Sequence, residues 1–294
     1  MKDRKRTSIK TAMRAWKRSP LSLVLRVLVW LAAILTIGTI VFLIGYILVK
    51  GVPHIKPSLF AWNYNSENVS LMPALVNTVL MTVLALLIAV PLGLFSAIFL
   101  SEYARRGNRL VKAVRLAAET LAGIPSIVYG LFGMLFFVTA LHWEYSLISG
   151  ACTISLMILP LIMRTSEEAM LSVPDSYREG SFGLGAGRLR TVFRIVLPAA
   201  MPGILAGVIL AIGRIVGESA ALIYTAGTVA EIPSGSDFLF DSTRTLSVHM
   251  YALSNEGLYI NETYATAVVL LVIVIGINWL SAALAKRIGR RSEK

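Results

Sequence analysis

Uncharged apolar runs alternate with short basic segments along this chain, and the alternation constrains the fold more than any single motif. The run from Val27 to Val49 carries no charged residue, and neither does the stretch from Asn68 to Ser101, which holds a second run from Pro73 to Leu100. Further apolar runs lie between Glu119 and Glu144, from Tyr145 to about Met163, from Ala199 to Thr228 and from Thr263 to Ala285. Each is near or above the roughly 20 residues with which an α-helix crosses a hydrocarbon core. The expected fold is an all-α polytopic membrane protein with six transmembrane helices. The link between the third and fourth runs is short, which predicts an antiparallel helix hairpin.

Composition agrees. Only 15% of the 294 residues are charged, against about 25% in a soluble domain. The net charge of +12 informs through its distribution. A nucleic-acid-binding domain gathers Lys and Arg on one folded face; here they fall between the apolar runs, as topology signals do. One side of the membrane is assigned the N-terminal arm 1–20, with Lys2, Arg4, Lys5 and Arg6 among its cations, and Arg105, Arg106, Arg109, Lys112 and Arg115. Arg164, Arg178, Arg188, Arg190 and Arg194 join that side, as do Lys286, Arg287, Arg290, Arg291 and Lys294. The other side keeps Lys50, Lys56 and Arg244. Basic loops stay inside, so both termini are expected in the cytoplasm. The first run is longer than the core of a signal peptide and no small-x-small cleavage site follows, so residues 21–50 read as a retained helix. Cys152 excludes an intrachain disulfide, and His54, His142 and His249 show no ligand spacing, so no metal or other cofactor is expected.

The longest polar-rich segment between two apolar runs extends from Arg178 to Pro198. Ser172-Val173-Pro174-Asp175 reads as a capping box that starts a short helix. Gly183, Gly185 and Gly187 are candidates for the positive φ that ends it and turns the chain. No Gly-Lys-Ser/Thr follows the glycines, so a phosphate-cradling loop is not supported and any ATP belongs to a partner. In the fifth run, Gly203-x-x-x-Gly207 and Gly213-x-x-x-Gly217 predict close helix approach at a bundle centre. The outer loop from Ala230 to Glu262 is long, with a short helix expected over Thr243–Ser254.

Two charges lie inside that fifth run. Arg214 and Glu218 are one turn apart on a continuous helix and would share a face. Two readings stay open: a structural ion pair, or a guanidinium offered to an oxyanion, which Arg holds through two N–H groups at once. Arg164, at the end of the fourth run, is either a second pathway cation or a positive-inside anchor.

Glu179-Gly180-Ser181, then Gly185, then Ile195-x-Leu197-Pro198, resembles the cytoplasmic "EAA" loop of ABC importer permeases. Gly180-Ser181 replaces the usual Ala-Ala. The likeness implies that residues 172–198 form a coupling element docking on an ATPase. Leu159-Pro160, Arg164-Thr165, Val173-Pro174 and Arg178-Glu179 further resemble the PstA-type permeases of phosphate importers. Ser101-Glu102-Tyr103-Ala104, Gly123-Ile124-Pro125-Ser126 and Arg214-Ile215-x-Gly217-Glu218-Ser219 do so as well. This likeness spans about Pro73 to Lys286 and leaves the arm and the 287–294 tail aside. It implies a MetI-like five-helix core, residues 73–286, with one added N-terminal helix. It also implies a PstC-type sister permease, two ATPase subunits and an extracytoplasmic phosphate-binding protein, in a bacterial cytoplasmic membrane. Arg214, with Arg164, would then line the translocation path. Permeases for molybdate, sulfate or phosphonate are the nearest alternatives. A secondary carrier would show inverted repeats and broken helices, and an intramembrane enzyme would need a nucleophile and base or a metal pair; neither pattern is present, so a transport subunit without chemistry of its own is expected.

Overall fold

A computed structural model describes residues 20–104 and 107–292. The arm 1–19, Arg105, Arg106 and the last two residues, on which part of the orientation argument rests, lie outside the described residues. In chain order the helices are α1 (Pro20–Gly51), α2 (Met72–Ile98), α3 (Arg109–Ala122), α4 (Ser126–Gly133), α5 (Leu147–Leu171), α6 (Asp175–Gly183), α7 (Arg188–Thr191), α8 (Leu197–Gly217), α9 (Ala220–Ile223), α10 (Leu246–Glu256) and α11 (Ile260–Ser292). Single π-turns extend α2 to Tyr103 and α4 to Ala140, and join α7 to α8.

Five helical stretches are long and apolar enough to cross a membrane: Val24–His54, Met72–Tyr103, Leu147–Leu171, Arg188–Gly217 and Ile260–Leu280. The expected third span is not one helix. α3 and the α4 stretch to Ala140 meet at 101°. Gly123-Ile124-Pro125 is the break, because Pro125 lacks an N–H and pushes Ile124 out of the helical region. α3 carries Arg109, Lys112, Arg115 and Glu119, so the apolar part of this pair begins at Ser126. The six expected crossings are therefore five long helices plus one bent pair.

The core is made where α2, α5 and α8 meet. Met81, Ala85 and Ala89 of α2 are buried against Ile154, Ile158 and Ile162 of α5, with Ala211 and Ile215 of α8 behind them. Lipid tails are as apolar as these side chains, so close packing and backbone approach hold the helices together. Gly93 shows the approach: a Cβ there would lie 2.9 Å from the Ile162 methyl. Nearby, the Ser155 hydroxyl donates to the Ala85 carbonyl at 3.0 Å. α1 stands apart, with its side chains exposed along most of its length. It meets α11 where Gly51 passes under the Tyr264 backbone and Tyr46 packs edge-on to Tyr264 at 5.8 Å.

The polar segment differs from expectation in three ways. Ser172 does not cap α6; its hydroxyl donates back to the Ala169 carbonyl, and Pro174 is the N-cap. Of the three glycines, only Gly185 has a positive φ, +80°, while Gly187 is extended and opens α7. The helix also resumes at Arg188, before the expected start of the fifth span. Pro198 has no N–H for the carbonyl four residues back, and the π-turn Val192–Val196 falls just ahead of it.

Candidate functional site: the coupling segment and the arginine cavity

α6 is short and polar, yet it is fixed from both sides. Arg178 donates to Glu102 at the end of α2, at 2.7 and 3.2 Å, and to the carbonyls of Met170 and Val173 at 2.9 and 2.8 Å. It also reaches Asp175 in the first turn of α6 at 3.2 Å. One guanidinium thus ties α2, the end of α5 and α6 together. The hydrogen bond to Glu102 pushes the Arg178 pKa above its ordinary high value, and the charge of Glu102 adds to this. On the other side, the buried hydroxyl of Ser181 pairs with that of Thr191 at 2.8 Å. Glu179 and Gly180 stay exposed. Gly185 turns the chain, and a cleft of about 510 Å³ opens between Leu184, Gly185, Ala186, Arg190, Arg194 and Ile195. Leu184 at its edge is 91% exposed.

The sequence-derived residues therefore divide. Glu179, Gly180 and Gly185 present themselves outward, Ser181 faces inward as a fixing point, and Ile195, Leu197 and Pro198 belong to the helix behind the cleft. Glu102 and Arg178 were not read as partners; they lie 76 residues apart and nothing local marks them as a pair.

Arg164 and Arg214 come together. Both line a cavity of about 360 Å³ with Arg115, Glu119 and Glu167. Arg115 pairs with Glu167 at 2.5 Å, and Arg164 with Glu168 one turn on at 3.0 Å. Among the described residues Arg214 has neither an ion pair nor a hydrogen bond. The expected pairing with Glu218 is not formed. α8 ends at Gly217, Glu218 is extended at φ −76° and ψ 128°, and its carboxylate accepts from Ala221 N–H at 3.1 Å. The helix stops between the two residues, so they no longer share a face, and Glu218 caps α9 instead.

The glycine motifs divide as well. A Cβ at Gly203 would meet Ala169 and one at Gly207 would meet Thr165, whereas Gly213 and Gly217 meet nothing within 4 Å. The first motif closes the bundle of this chain; the second lies open on it, which corrects its placement at the bundle centre.

Residues 89–293 match the family model described as binding-protein-dependent transport system inner membrane component. The chain belongs to this family. The permease is 31% identical over 278 residues to the probable ABC transporter permease protein YqgI of Bacillus subtilis, covering 88% of this chain and 94% of the relative. It is 34% identical to the phosphate transport system permease protein PstA 1 of Mycobacterium tuberculosis H37Rv, covering 75% and 71%. Similarity to PstA 2 of Mycobacterium bovis is 34% over 85% of each chain. Its fold is that of solved permeases. A chain of the MetNI methionine ABC transporter, in an inward-facing conformation, superposes with a TM-score of 0.57 at 19% identity, over 83% of this chain and 97% of that one. A chain of a bacterial alginate ABC transporter reaches 0.64 at 17% identity, over 95% and 97%. The permease is thus an inner-membrane, multi-span transport component with a MetI-like fold.

Proposed function

We propose that the permease carries inorganic phosphate as one half of the pathway of an ATP-driven importer, with a PstC-type sister chain as the other half. Two ATPase subunits bind and hydrolyse ATP on the cytoplasmic side, engaging Glu179, Gly180 and the cleft behind Gly185. An extracytoplasmic phosphate-binding protein delivers the anion. Both termini are cytoplasmic, and this chain holds no cofactor and performs no chemistry. The names of the PstA relatives support phosphate.

The observation that carries the reading is Arg214. It is a half-buried cation without a carboxylate of its own, in a cavity it shares with Arg164. Charged groups at membrane depth mark ion pathways, and Arg offers an oxyanion two parallel N–H donors. A passing ion must also leave, and the neighbouring pairs Arg115–Glu167 and Arg164–Glu168 keep the cavity from being a purely cationic trap. The decisive experiment compares ATP hydrolysis by the reconstituted complex stimulated by phosphate, molybdate, sulfate or a phosphonate. Stimulation by phosphate above the others is expected. Arg214→Gln is expected to abolish phosphate uptake per assembled complex, and Arg214→Lys, which keeps the charge but loses the fork, to lower it; normal uptake in Arg214→Gln overturns the reading.

A further inference from the structure

The outer loop folds back into the protein. α10 begins against α2 and against the break after α8: Leu246 N–H donates to the Thr78 hydroxyl at 2.8 Å, and the Ser247 hydroxyl donates to the Glu218 carbonyl at 2.5 Å. Asn77 of α2 donates its amide to the Glu231 carbonyl at 2.9 Å and to the Arg244 carbonyl at 3.4 Å. Arg244, just before α10, is thereby drawn inside and is only 4% exposed.

No carboxylate comes within ion-pairing distance of Arg244 among the described residues. Its Nε and Nη2 are buried and without hydrogen-bond partners. These two nitrogens form one edge of the guanidinium, whose parallel N–H groups fit two oxygens of a single anion. The plane of that edge is held by Tyr64, whose ring lies 4.6 Å from the Arg244 Cζ. Tyr64 also meets His249 edge-on at 6.0 Å. His249 is fully buried; no side chain bonds either ring nitrogen, and the Val69 backbone beside the ring favours its protonated form without making a full hydrogen bond. Burial first, and the Arg244 charge second, lower its pKa from 6.5 to about 3, so the ring is neutral and offers one donor and one acceptor. The Asn77 side-chain oxygen is a further buried acceptor without a partner. Beside the cluster, Val69 holds a φ of +46°, an outlier for a β-branched residue and the kind of backbone strain found at functional sites.

We propose that Arg244, Tyr64 and His249 form an oxyanion site at the outer end of the permease, which takes phosphate from the delivering protein before it reaches Arg214. This rests on the phosphate reading above. A buried cation without a counter-charge is costly, and an anion that binds the Nε–Nη2 edge removes that cost. The acceptors add selectivity. Phosphate at neutral pH keeps an O–H that can donate to the His249 ring nitrogen or to Asn77, whereas sulfate has no proton to give and would leave those acceptors unpaired.

The test uses the assembled complex of both permease chains with the ATPase subunits, in lipid nanodiscs, and radiolabelled inorganic phosphate as the probe. Equilibrium binding is measured without the delivering protein, beside Arg214→Gln so that the inner cavity is counted separately. Wild type is expected to bind phosphate, and Arg244→Gln to weaken binding by about tenfold or more, the loss of a charge-assisted fork. Arg244→Lys assembles with its charge retained and is expected to lose most of the same affinity, which separates the site from a folding defect. Sulfate is expected to compete poorly in wild type and better in His249→Phe. Unchanged phosphate affinity in assembled Arg244→Gln overturns the site. Unchanged phosphate affinity together with weaker docking of the delivering protein also overturns it, and assigns Arg244 to a carboxylate of that protein. Uptake reports separately on the reading beneath: a wild-type complex that imports another oxyanion but no phosphate ends the phosphate assignment, whatever Arg244 does.

Discussion

Arg178 and Arg244 are both largely withdrawn from solvent, beside opposite ends of α2, and the protein treats them in opposite ways. Arg178 is saturated: Glu102, Asp175 and two helix-end carbonyls take its donors. Arg244 has an aromatic ring on its face and two buried donors unpartnered. The difference teaches what each cation is for. Where a guanidinium holds elements together, its anion is written into the same chain, because a buried charge left alone costs several kcal/mol. Where the chain writes no anion, the proposed partner comes from outside. By the same test Arg214 resembles Arg244 and not Arg178.

The sharpest way to break this comparison is to treat both arginines alike. Arg178→Ala leaves Glu102 as an uncompensated, nearly buried carboxylate and frees the ends of α5 and α6. A loss of about 3 kcal/mol or more is expected, read as a lower melting temperature of the purified complex and as ATP hydrolysis no longer tied to uptake. Arg244→Met removes a charge that has no partner in the chain and is expected to leave the melting temperature unchanged or raise it. A large destabilisation by Arg244→Met, equal to that of Arg178→Ala, would make the two arginines equivalent and remove the distinction.

A smaller effect sharpens the contrast along α8. Its N-terminal half is closed within the chain, since a Cβ at Gly207 would collide with the Thr165 hydroxyl; its C-terminal half is open at Gly213. Gly207→Val is expected to destabilise the chain itself by about 1–3 kcal/mol through overpacking. Gly213→Val is expected to leave the chain folded but to reduce its recovery with the sister permease in co-purification. Equal recovery of the sister with wild type and Gly213→Val would remove that face from the interface.

Much of this arrangement was legible in the residues, and the illegible part has a physical pattern. Long uncharged runs place the spans because burial in lipid is decided locally, residue by residue. Gly185 was legible because a turn after α6 demands positive φ. The bend at Pro125 was visible as a proline, yet the apolar run around it reads as one span until α3's charges are placed on a separate helix. Helix periodicity alone would pair Arg214 with Glu218; the end of α8 at Gly217 breaks the period between them. Glu102 with Arg178, and Tyr64 with Arg244, are joined by tertiary packing across long separations, and no local spacing announces them. The burial of Arg244 is the clearest case: in sequence it is one of three outer basic residues, indistinguishable from Lys50 or Lys56.

The smallest expected effect is a pH dependence that belongs to the outer end alone. His249 is neutral in the folded protein, with its pKa near 3, while in the unfolded chain an imidazole titrates near 6.5. Between those values the unfolded state binds a proton that the folded state does not, so stability rises with pH across the window. The contribution is fully present above 6.5 and is lost progressively as the pH falls toward 3. The groups facing the ring are Arg244, whose charge opposes protonation, and the Tyr64 ring. At the other end of α2, the guanidinium of Arg178 keeps its charge at every pH in the window, so its own titration adds no slope there. Melting of the complex between pH 7 and pH 5 is therefore expected to fall in wild type, and to fall less in His249→Gln, which carries no titrating ring. Its side chain can still donate and accept, so the packing of α10 against Tyr64 is kept as nearly as one substitution allows. Arg178→Lys, compared over the same range, should shift the whole curve without changing its slope. A wild-type slope that survives His249→Gln unchanged would place the titrating group elsewhere and detach the neutral imidazole from the stability of the outer end.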